Sequence, residues 1–388
     1  MTDPGGIAEV EAIVLRSGHS ETEFDPSAET LVVQLTDASG RVGIGEADGP
    51  AGTVRDLVLM RDAHAWSRGL SGILIGRDPF EARALWAEMY KSTIIHARRG
   101  LGIHALSAVD VALHDLAGKQ LARPVYSLLG GALRQILHPY ATIYPGLPQG
   151  RPLEALLDDI EARTAKALDL GYRAVKVEVV FDDLATDRQV VESIRRSRRL
   201  IGDDIALMVD FGYRWSDWRQ ALSALRQVED CNLYFAEAVL DHDDIDGHAK
   251  LAARLSTRLC GAELATTVHE CRQWIEQGHV DVLQPEISRC GGLTELARIA
   301  DLAALHGVLV VPHNWKTGIN AAATLHLHAA RANIPVIEWL SPDLWTSPLR
   351  GDLAVPEPSL VEGCFGLPTA PGLGVALRED ALGRFAVR

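Results

Sequence analysis

The second half of the chain alternates short apolar runs with segments long enough for one helix and two loops. The runs cover residues 139–144, 174–179, 205–209, 233–236, 258–261, 280–284, 308–312 and 335–337. This alternation predicts a parallel sheet, because a chain reaches a parallel neighbouring strand only through a crossover connection. Eight such units over about 200 residues close a (β/α)8 barrel. We therefore expect a modified TIM barrel in this part of the chain.

The remainder of the chain lacks this alternation. Two β-branched runs, 30–35 and 42–46, flank a polar turn, which predicts a hairpin. Between residues 78 and 121 apolar positions recur every three or four residues, which predicts helices. We therefore expect an α/β protein with three parts: an α+β domain over 1–135, the barrel over 136–345, and a segment rich in proline and glycine over 346–388 that returns to the first domain.

Composition narrows the classes of partner. The chain has 52 acidic and 38 basic residues, a formal net charge of −14. This argues against a nucleic acid or an anionic membrane as partner, since both require a basic surface. No run approaches the roughly 18 apolar residues of a membrane span, and the first residues lack the pattern of a secretory signal. The cysteines have no CxxC spacing, so we expect no disulfide framework, no zinc site and a cytoplasmic location.

Acidic residues stand at the ends of three successive predicted strands. Asp210, Glu237 and Glu263 follow these runs one strand-helix unit apart. In a parallel barrel such positions converge at the carboxyl-terminal rim, where active sites of this fold lie. Three carboxylates in one cavity repel one another unless a cation offsets them, and an all-oxygen ligand set suits Mg²⁺ better than zinc. The sequence therefore predicts a magnesium site formed by these acids.

Polar residues occupy the same position on other strands. Glu286, His313 and Glu338 follow the sixth, seventh and eighth runs. A neutral imidazole beside a carboxylate is a common general base, so we expect His313 and Glu286 to act together. On the second run, Lys176 and Glu178 share one face of the strand because side chains alternate with period two. Charges that point into a barrel are costly unless they are used, so both are candidates for the site.

Longer segments resemble the enolase superfamily, in its mandelate racemase and muconate lactonizing enzyme branch. The resemblance rests on ALSAVDVALHDLAGK at 105–119 with PVYSLLGG at 124–131, and on VDVLQPEISRCGGLTE at 280–295 with VPHNWKTGI at 311–319. It implies that the first domain caps the barrel and that the C-terminal segment completes this capping domain. It also implies an enzyme that uses Mg²⁺ while it removes the α-proton of a carboxylate substrate.

The resemblance also implies roles for individual residues. The implied set comprises Mg²⁺ ligands at Asp210, Glu237 and Glu263, a base formed by His313 and Glu286, and Lys176 and Glu338 beside the substrate carboxylate. In this arrangement His313 removes the proton and Glu286 fixes the tautomer of the imidazole. Lys176 offsets the developing negative charge, and Glu338, if protonated, donates a hydrogen bond to the substrate.

The chain departs from the family pattern on the second strand. Relatives usually carry Lys-x-Lys there, in which the second lysine is a base on the opposite face of the substrate, whereas this chain has Glu178. Racemisation requires two opposed bases, so the change favours β-elimination of water from an acid sugar by His313, as in a dehydratase. A racemase, an epimerase or a lactone cycloisomerase is the alternative. Glu178 itself has three interpretations: a contact for substrate hydroxyls, a second acid or base, or an ion-pair partner of Lys176.

A few further residues are candidates for contacts with the substrate. Lys316 is near enough to the predicted base to reach a substrate carboxylate or hydroxyl, although a solvated loop lysine fits nearly as well. His19 and Phe24 lie in a segment that corresponds to a specificity loop of the family. A second departure, Asp-Phe-Gly at 210–212 where many relatives have Asp-Ala-Asn, implies a substrate different from that of the best-known members. The resemblance finally implies a homo-oligomer.

Overall fold

The structure is a computed structural model that describes residues 5–18, 28–181, 184–345 and 347–387. The first domain contains an antiparallel sheet in the order β1-β2-β3, which confirms the predicted hairpin between the second and third strands. Its elements are β1 (Ile7–Arg16), β2 (Glu29–Asp37), β3 (Val42–Ala47), α1 (Ala51–Leu59), α2 (Leu70–Leu74), α3 (Ala82–Ser92), α4 (Leu101–Gln120) and α5 (Val125–Leu128).

Helix α4 is the centre of the first domain and is buried along most of its length. It packs against β3 on one side and against helices of the barrel on the other. Two glycines of β3 make the first contact close, because a Cβ atom at Gly43 would lie 2.3 Å from the carbonyl oxygen of Ala112, and one at Gly45 would lie 2.0 Å from that of Ala108. Larger residues at these two positions would force the sheet away from the helix.

The barrel follows as predicted. Within the described residues, each of the eight apolar runs overlaps a parallel strand, and two ladders, β12-β5-β6-β7-β8 and β11-β10-β9, are joined by a bridge between Ala236 and Leu259. The strands are β5 (Pro139–Ile143), β6 (Ala174–Glu178), β7 (Ala206–Asp210), β8 (Phe235–Glu237), β9 (Cys260–Gly261), β10 (Val282–Leu283), β11 (Leu309–Val310) and β12 (Ile337–Trp339). The helices are α6 (Leu153–Asp169), α7 (Asp187–Ile201), α8 (Trp218–Arg226), α9 (Ile245–Ala252), α10 (Val268–Glu276), α11 (Ile287–Cys290), α12 (Gly292–Leu305) and α13 (Gly318–Ala330).

The C-terminal segment contacts both other parts of the chain. It contains α14 (Pro348–Asp352), β13 (Ala354–Val355), β14 (Phe365–Gly366), β15 (Ala376–Leu377) and α15 (Ala381–Phe385). Strand β14 pairs with β4 (Ile136–Leu137), just before the barrel. Near the end of the chain Val387 N donates to Val14 O in β1 at 2.9 Å. The segment therefore returns to the first domain as expected, while the domain boundaries stay a prediction.

A buried carboxyl group joins the first domain to the barrel. Glu46, near the end of β3, accepts hydrogen bonds from Thr317 Oγ1 at 2.8 Å and from Asn320 N at 3.2 Å. These two donors belong to the N-terminal turn of α13, where free backbone N–H groups and the helix dipole favour an acceptor. Burial raises the pKa of Glu46, and the nearby Lys316 ammonium opposes this rise. The contact fixes β3 against the rim of the barrel.

Two smaller expectations concern cysteines and membrane spans. All five cysteines are free thiols, as the sequence predicts. In the described part of the chain, no helix is both long enough and apolar enough to cross a membrane.

Two buried histidines on α13 each join separate elements in their neutral form. His326 donates from Nε2 to Leu373 O at 3.1 Å and accepts at Nδ1 from Tyr126 N at 3.2 Å. His328 likewise donates from Nδ1 to Ile334 O at 2.7 Å and accepts at Nε2 from His138 N at 3.1 Å. A backbone carbonyl only accepts and a backbone N–H only donates, so each imidazole must keep one bare nitrogen. Neither histidine is therefore available as a metal ligand.

These histidines predict a loss of stability in mild acid. Burial lowers the pKa of His326 to about 4 and, together with the charge of Arg134, that of His328 to about 3, whereas an unfolded histidine titrates near 6.5. The unfolded chain therefore binds more protons below pH 6.5, and each histidine is expected to lower the unfolding free energy by about 1.4 kcal/mol per pH unit down to about pH 4. Urea unfolding at pH 7, 6 and 5 measures this slope. A His328→Asn variant should lose one histidine's share of it, and an unchanged slope in that variant would contradict the assignment.

Candidate active site

The three predicted acidic ligands lie together at the carboxyl-terminal rim of the barrel. Asp210 ends β7 and Glu237 ends β8, and the two residues are register partners on neighbouring strands. Glu263 follows β9 by two residues. Glu237 is buried, and the side chains of Asp210 and Glu263 are only 15% and 14% exposed. The strand-end positions chosen from the sequence therefore place three carboxyl groups in one region of the structure.

Each of these acids is held by one neutral hydrogen-bond donor. The pairs are Gly212 N to Asp210 Oδ1 at 2.8 Å, Gln284 Nε2 to Glu237 Oε2 at 2.7 Å, and Tyr213 Oη to Glu263 Oε1.

The backbone around the three acids is strained, because three residues other than glycine adopt positive φ: Tyr213 (60°), Ala238 (47°) and Ala262 (75°). Strain of this kind clusters at functional sites, where the surrounding fold maintains it.

The Lys176 ammonium lies among the acids. Its Nζ is 2.9 Å from Glu237 Oε2, 2.8 Å from Glu338 Oε1 and 3.8 Å from Asp210 Oδ2, and the side chain is fully buried. Burial opposes its charge, but the Glu237 and Glu338 carboxylates outweigh that effect and raise the pKa of Lys176 well above its ordinary value. Lys176 is therefore a protonated cation in this structure, as its predicted role in offsetting negative charge requires.

The single positive charge of Lys176 does not offset all of the acids around it. Burial raises the pKa of Glu237 well above its usual range, and the neighbouring Asp210 adds to this rise. Burial likewise raises the pKa of Asp210, with a further contribution from Glu263. Mutual repulsion of this kind is what a bound cation relieves, and three hard carboxylate donors fit Mg²⁺ chemically.

In this structure, however, the acidic side chains are hydrogen-bonded to neighbouring residues. Among the described residues, no group of three or more His, Cys, Asp or Glu side chains is arranged to hold a metal ion. Glu237 accepts hydrogen bonds from Lys176 and Gln284, and Glu263 accepts one from Tyr213. The donor set therefore fits the cation by chemistry and by position on the strands, and the assignment of the three ligands stays a prediction.

The predicted pair of His313 and Glu286 is in direct contact. His313 Nδ1 is 2.5 Å from Glu286 Oε2, and the other oxygen of Glu286 accepts from Ser288 Oγ. The Nε2 atom of His313 lies 3.9 Å from Glu263 Oε2 and so faces the third of the acids. Burial favours the neutral imidazole, but the Glu338 and Glu286 carboxylates raise the pKa of His313 to about 9. Glu286 thus orients the ring with Nε2 toward the cavity.

Glu338 is surrounded by hydrogen-bond donors. Its carboxyl group accepts hydrogen bonds from four donors: Thr142 Oγ1 at 2.6 Å, Asn314 N at 2.8 Å, Trp315 Nε1 at 2.9 Å and Lys176 Nζ at 2.8 Å. Although burial alone would raise its pKa, the charges of Lys176 and His313 lower the pKa of Glu338 to about 2. In this structure Glu338 is therefore an acceptor, and donation from a protonated Glu338 to the substrate stays a prediction.

Glu178 lies at the end of β6 beside Asp210, its register partner on β7. It is buried, and burial together with the charge of Asp210 raises its pKa well above the usual range. In the described residues Lys176 forms its ion pairs with Asp210, Glu237 and Glu338, and none of the salt bridges joins it to Glu178. Glu178 thus forms no direct salt bridge with Lys176 among the described residues, but the Lys176 charge opposes the rise in its pKa, and all three interpretations stay predictions.

The candidate substrate contacts have different outcomes. Lys316 is buried, and its ammonium binds Asp48 Oδ1 at 3.1 Å and Glu29 O at 2.9 Å, both in the first domain. Through these contacts Lys316 links the barrel to the first domain, and a contact of Lys316 with substrate stays a prediction. His19 and Phe24 lie outside the described residues.

The structure adds functional neighbours that sequence reasoning missed. Gln284 holds Glu237, and Tyr213 holds Glu263. Gln284 was detectable, because it lies two positions before Glu286 and alternation along a strand places both on one face. Tyr213 had no sequence signal, since its direction depends on a left-handed turn that the spacing of residues does not reveal.

Fold and site together define a class of protein: a capped barrel whose rim brings together three acids, a buried lysine and a histidine-carboxylate pair. The mandelate racemase / muconate lactonizing enzyme N-terminal domain matches residues 22–130, and the enolase C-terminal domain-like family matches residues 159–381. The chain therefore belongs to the mandelate racemase and muconate lactonizing enzyme branch of the enolase superfamily, and it is an enzyme of this superfamily. Enzymes of this branch use a divalent metal.

Two relatives with named activities catalyse different types of reaction. The chain is 31% identical over 367 residues to D-galactarolactone cycloisomerase of Agrobacterium fabrum, covering 93% of this chain and 92% of the relative. It is 29% identical over 354 residues to arabinonate dehydratase of Saccharolobus solfataricus, covering 90% and 89%.

Solved structures share the whole fold. One, provisionally assigned as a racemase, is 42% identical with a TM-score of 0.92 and matches 98% of this chain and 97% of its own. A racemase from Streptomyces coelicolor A3(2) with bound magnesium is 25% identical with a TM-score of 0.82, covering 98% of this chain and 100% of its own.

Proposed function

We propose that this enzyme is a Mg²⁺-dependent dehydratase of acid sugars, which removes the α-proton of a sugar carboxylate and then eliminates water to give a 2-keto-3-deoxy acid. The observation that carries the proposal is the contact between His313 and Glu286, which leaves the Nε2 atom of His313 beside Glu263. An imidazole held in this way by a carboxylate is suited to general base catalysis. Named dehydratases and a cycloisomerase among the relatives support a sugar-acid substrate.

The proposal assigns the metal to Asp210, Glu237 and Glu263. A Mg²⁺ ion held there supplies electrostatic stabilisation for the negative charge that develops on the substrate carboxylate. Lys176 contributes a second positive charge beside the same acids, because it is protonated and fixed by Glu338. Glu338 in turn keeps the ammonium in place as an acceptor.

Glu178 bears on which reaction follows proton removal, because it takes the place of the second base that relatives usually carry on the other face of the substrate. Racemisation requires that second base, so the proposal relies on His313 alone, and one-base chemistry favours elimination. An imidazole accepts a proton only in its neutral form, whereas, against the effect of burial, the Glu338 and Glu286 carboxylates raise the pKa of His313 to about 9. A cation held by the three acids would lower this pKa by repulsion, and the proposal requires that it does.

In the elimination step the C2–H electrons form the C2–C3 double bond as the C3–O bond breaks. The C2 proton goes to His313 Nε2, which protonates the departing hydroxyl to give water, and the enol product then tautomerises to the 2-keto acid.

A lactone cycloisomerase is the second candidate. It is favoured by two relatives that cover the whole chain, the D-galactarolactone enzyme and a 3,6-anhydro-D-galactonate cycloisomerase from Zobellia galactanivorans. This reaction also places negative charge on a sugar carboxylate, but it returns a proton to the substrate carbon and releases no water. Glu178 is the proposed second acid or base for this case, because it is buried at the end of β6 beside the acids.

A library screen separates the two reactions. Purified enzyme with Mg²⁺ is incubated with aldonic and aldaric acids of every diastereomer and with their lactones, and products are analysed by mass spectrometry. The proposal predicts a 2-keto acid lighter than its substrate by one water from one or a few sugars. Isomers of unchanged mass from lactones would instead support the cycloisomerase. The absence of any keto acid from the complete library would rule out the dehydratase.

A further inference from the structure

Tyr213 occupies an unusual position next to the acids. Gly212 and Tyr213 both have left-handed backbone conformations, with φ of 57° and 60°. A Cβ atom at Gly212 would lie 2.8 Å from Val180 Cγ2, so this glycine is required both by φ and by space. Tyr213 has no such freedom, and its backbone is held by a hydrogen bond from its N–H to Ala238 O at 2.6 Å. Strain of this kind persists only where the surroundings enforce it.

The turn directs the Tyr213 ring from the end of β7 across β8 to the acid that follows β9. Its hydroxyl donates to Glu263 Oε1. The other oxygen of Glu263, Oε2, lies 3.9 Å from His313 Nε2, which is the nitrogen that faces the cavity. Burial and the charge of Glu263 both raise the pKa of Tyr213, so the phenol stays a neutral donor throughout the range in which enzymes work. One carboxylate oxygen is thus occupied by the phenol, and the other is turned inward.

The other two acids, Asp210 and Glu237, are held by different kinds of donor. Asp210 is held by the backbone N–H of Gly212, which no side-chain substitution removes. Glu237 is held by Gln284 and also by the Lys176 ammonium. Glu263 has no such ammonium within its salt-bridge contacts among the described residues, where its partner is His313. The phenol therefore carries a larger share of the orientation of Glu263 than Gln284 does for Glu237.

We propose that Tyr213 is a positioning residue for Glu263 that sets the affinity of the site for its divalent cation. This inference rests on the proposed function, because it assumes that Glu263 is a ligand. Groups that bond to metal ligands from outside fix the orientation of those ligands, and their loss weakens metal binding by about 10- to 100-fold. Tyr213 acts through Glu263 and touches neither the substrate nor the base.

The test measures metal binding in the absence of substrate. Mn²⁺ is titrated into metal-free wild type, Tyr213→Phe and a control variant, Tyr234→Phe, by calorimetry. Tyr234 precedes β8 at the opposite end of the barrel and contacts Arg258 through its ring, so its hydroxyl is remote from the acids. Tyr213→Phe is expected to raise the Kd for Mn²⁺ by about 10- to 100-fold, with the control unchanged. The melting temperature of the metal-free protein should fall by no more than about 4 °C, the effect of one lost hydrogen bond in a chain of this size.

Each result has a defined meaning. Equal Mn²⁺ affinity in wild type and Tyr213→Phe overturns the role of Tyr213 while leaving the proposed metal site intact. Absence of Mn²⁺ binding by the wild type overturns the metal site itself and the inference with it. A positioning role also predicts that saturating Mn²⁺ restores turnover in Tyr213→Phe to within about threefold of wild type, whereas a contact with substrate predicts a lower kcat at any metal concentration. If Tyr213→Phe does not fold, Tyr213→Asn replaces it, since asparagine tolerates the left-handed conformation and also removes the phenol.

Discussion

Replacement of His313 by asparagine is expected to abolish the exchange of the substrate α-proton while metal binding is retained. The variant removes the nitrogen that faces the acids but keeps a polar side chain of similar reach beside Glu286. A positioned general base contributes about 10²–10⁴ in rate, so turnover should fall by at least that factor. Exchange is measured by proton NMR in D₂O with a substrate found in the library, and Mn²⁺ affinity is measured in parallel.

A matched variant distinguishes this effect from a general loss of histidine. His306 is exposed at the end of α12, and His306→Asn should leave both exchange and turnover unchanged. Normal exchange in His313→Asn would show that another residue is the base. Loss of Mn²⁺ affinity in His313→Asn would show instead that His313 itself belongs to the metal site.

Removal of the divalent cation is expected to have an effect of similar size. Stabilisation of a developing anion by a metal is worth several kcal/mol, so treatment with EDTA should lower turnover by about 10³-fold or more, and added Mg²⁺ should restore it. Lys176, His313 and Arg289 offset part of the negative charge of the acids, and without the cation an anionic substrate lacks the positive charge that the metal would supply. Turnover that persists after complete chelation would show that the reaction does not require the metal.

Amide variants locate the cation among the acids. Asp210→Asn and Glu263→Gln each remove one negative oxygen donor and should weaken Mn²⁺ binding strongly, with turnover falling in parallel. Asp241→Asn is the matched control, because Asp241 lies exposed on the loop that follows β8 and its carboxylate accepts a local hydrogen bond from Asp243 N. Wild-type affinity in both rim variants would assign the cation to other residues.

Two regular patterns in the sequence predict the fold and the position of the candidate site. The strand-helix alternation identified the barrel, and strand-end positions identified the acids, His313 and Glu286, because parallel strands bring their carboxyl ends to one rim. The contact between His313 and Glu286 follows from neighbouring strands alone.

What the sequence did not predict depends on the direction of individual side chains. The sequence did not indicate that donors such as Thr142 of β5 and Lys176 of β6 surround Glu338 and lower its pKa. It also did not indicate that Lys316 is buried, with its ammonium bound to Asp48 and Glu29 of the first domain. Both outcomes depend on contacts between distant parts of the chain, which neither residue type nor spacing encodes.

In the proposed mechanism catalysis begins with removal of the α-proton from a sugar carboxylate. A substrate deuterated at C2 tests this step, with release of deuterium to the solvent and formation of product followed together by NMR. We expect the C2 deuterium to appear in the solvent in step with the 2-keto-3-deoxy acid. Product that forms while its C2 deuterium is still carbon-bound and never reaches the solvent would contradict proton abstraction at that carbon.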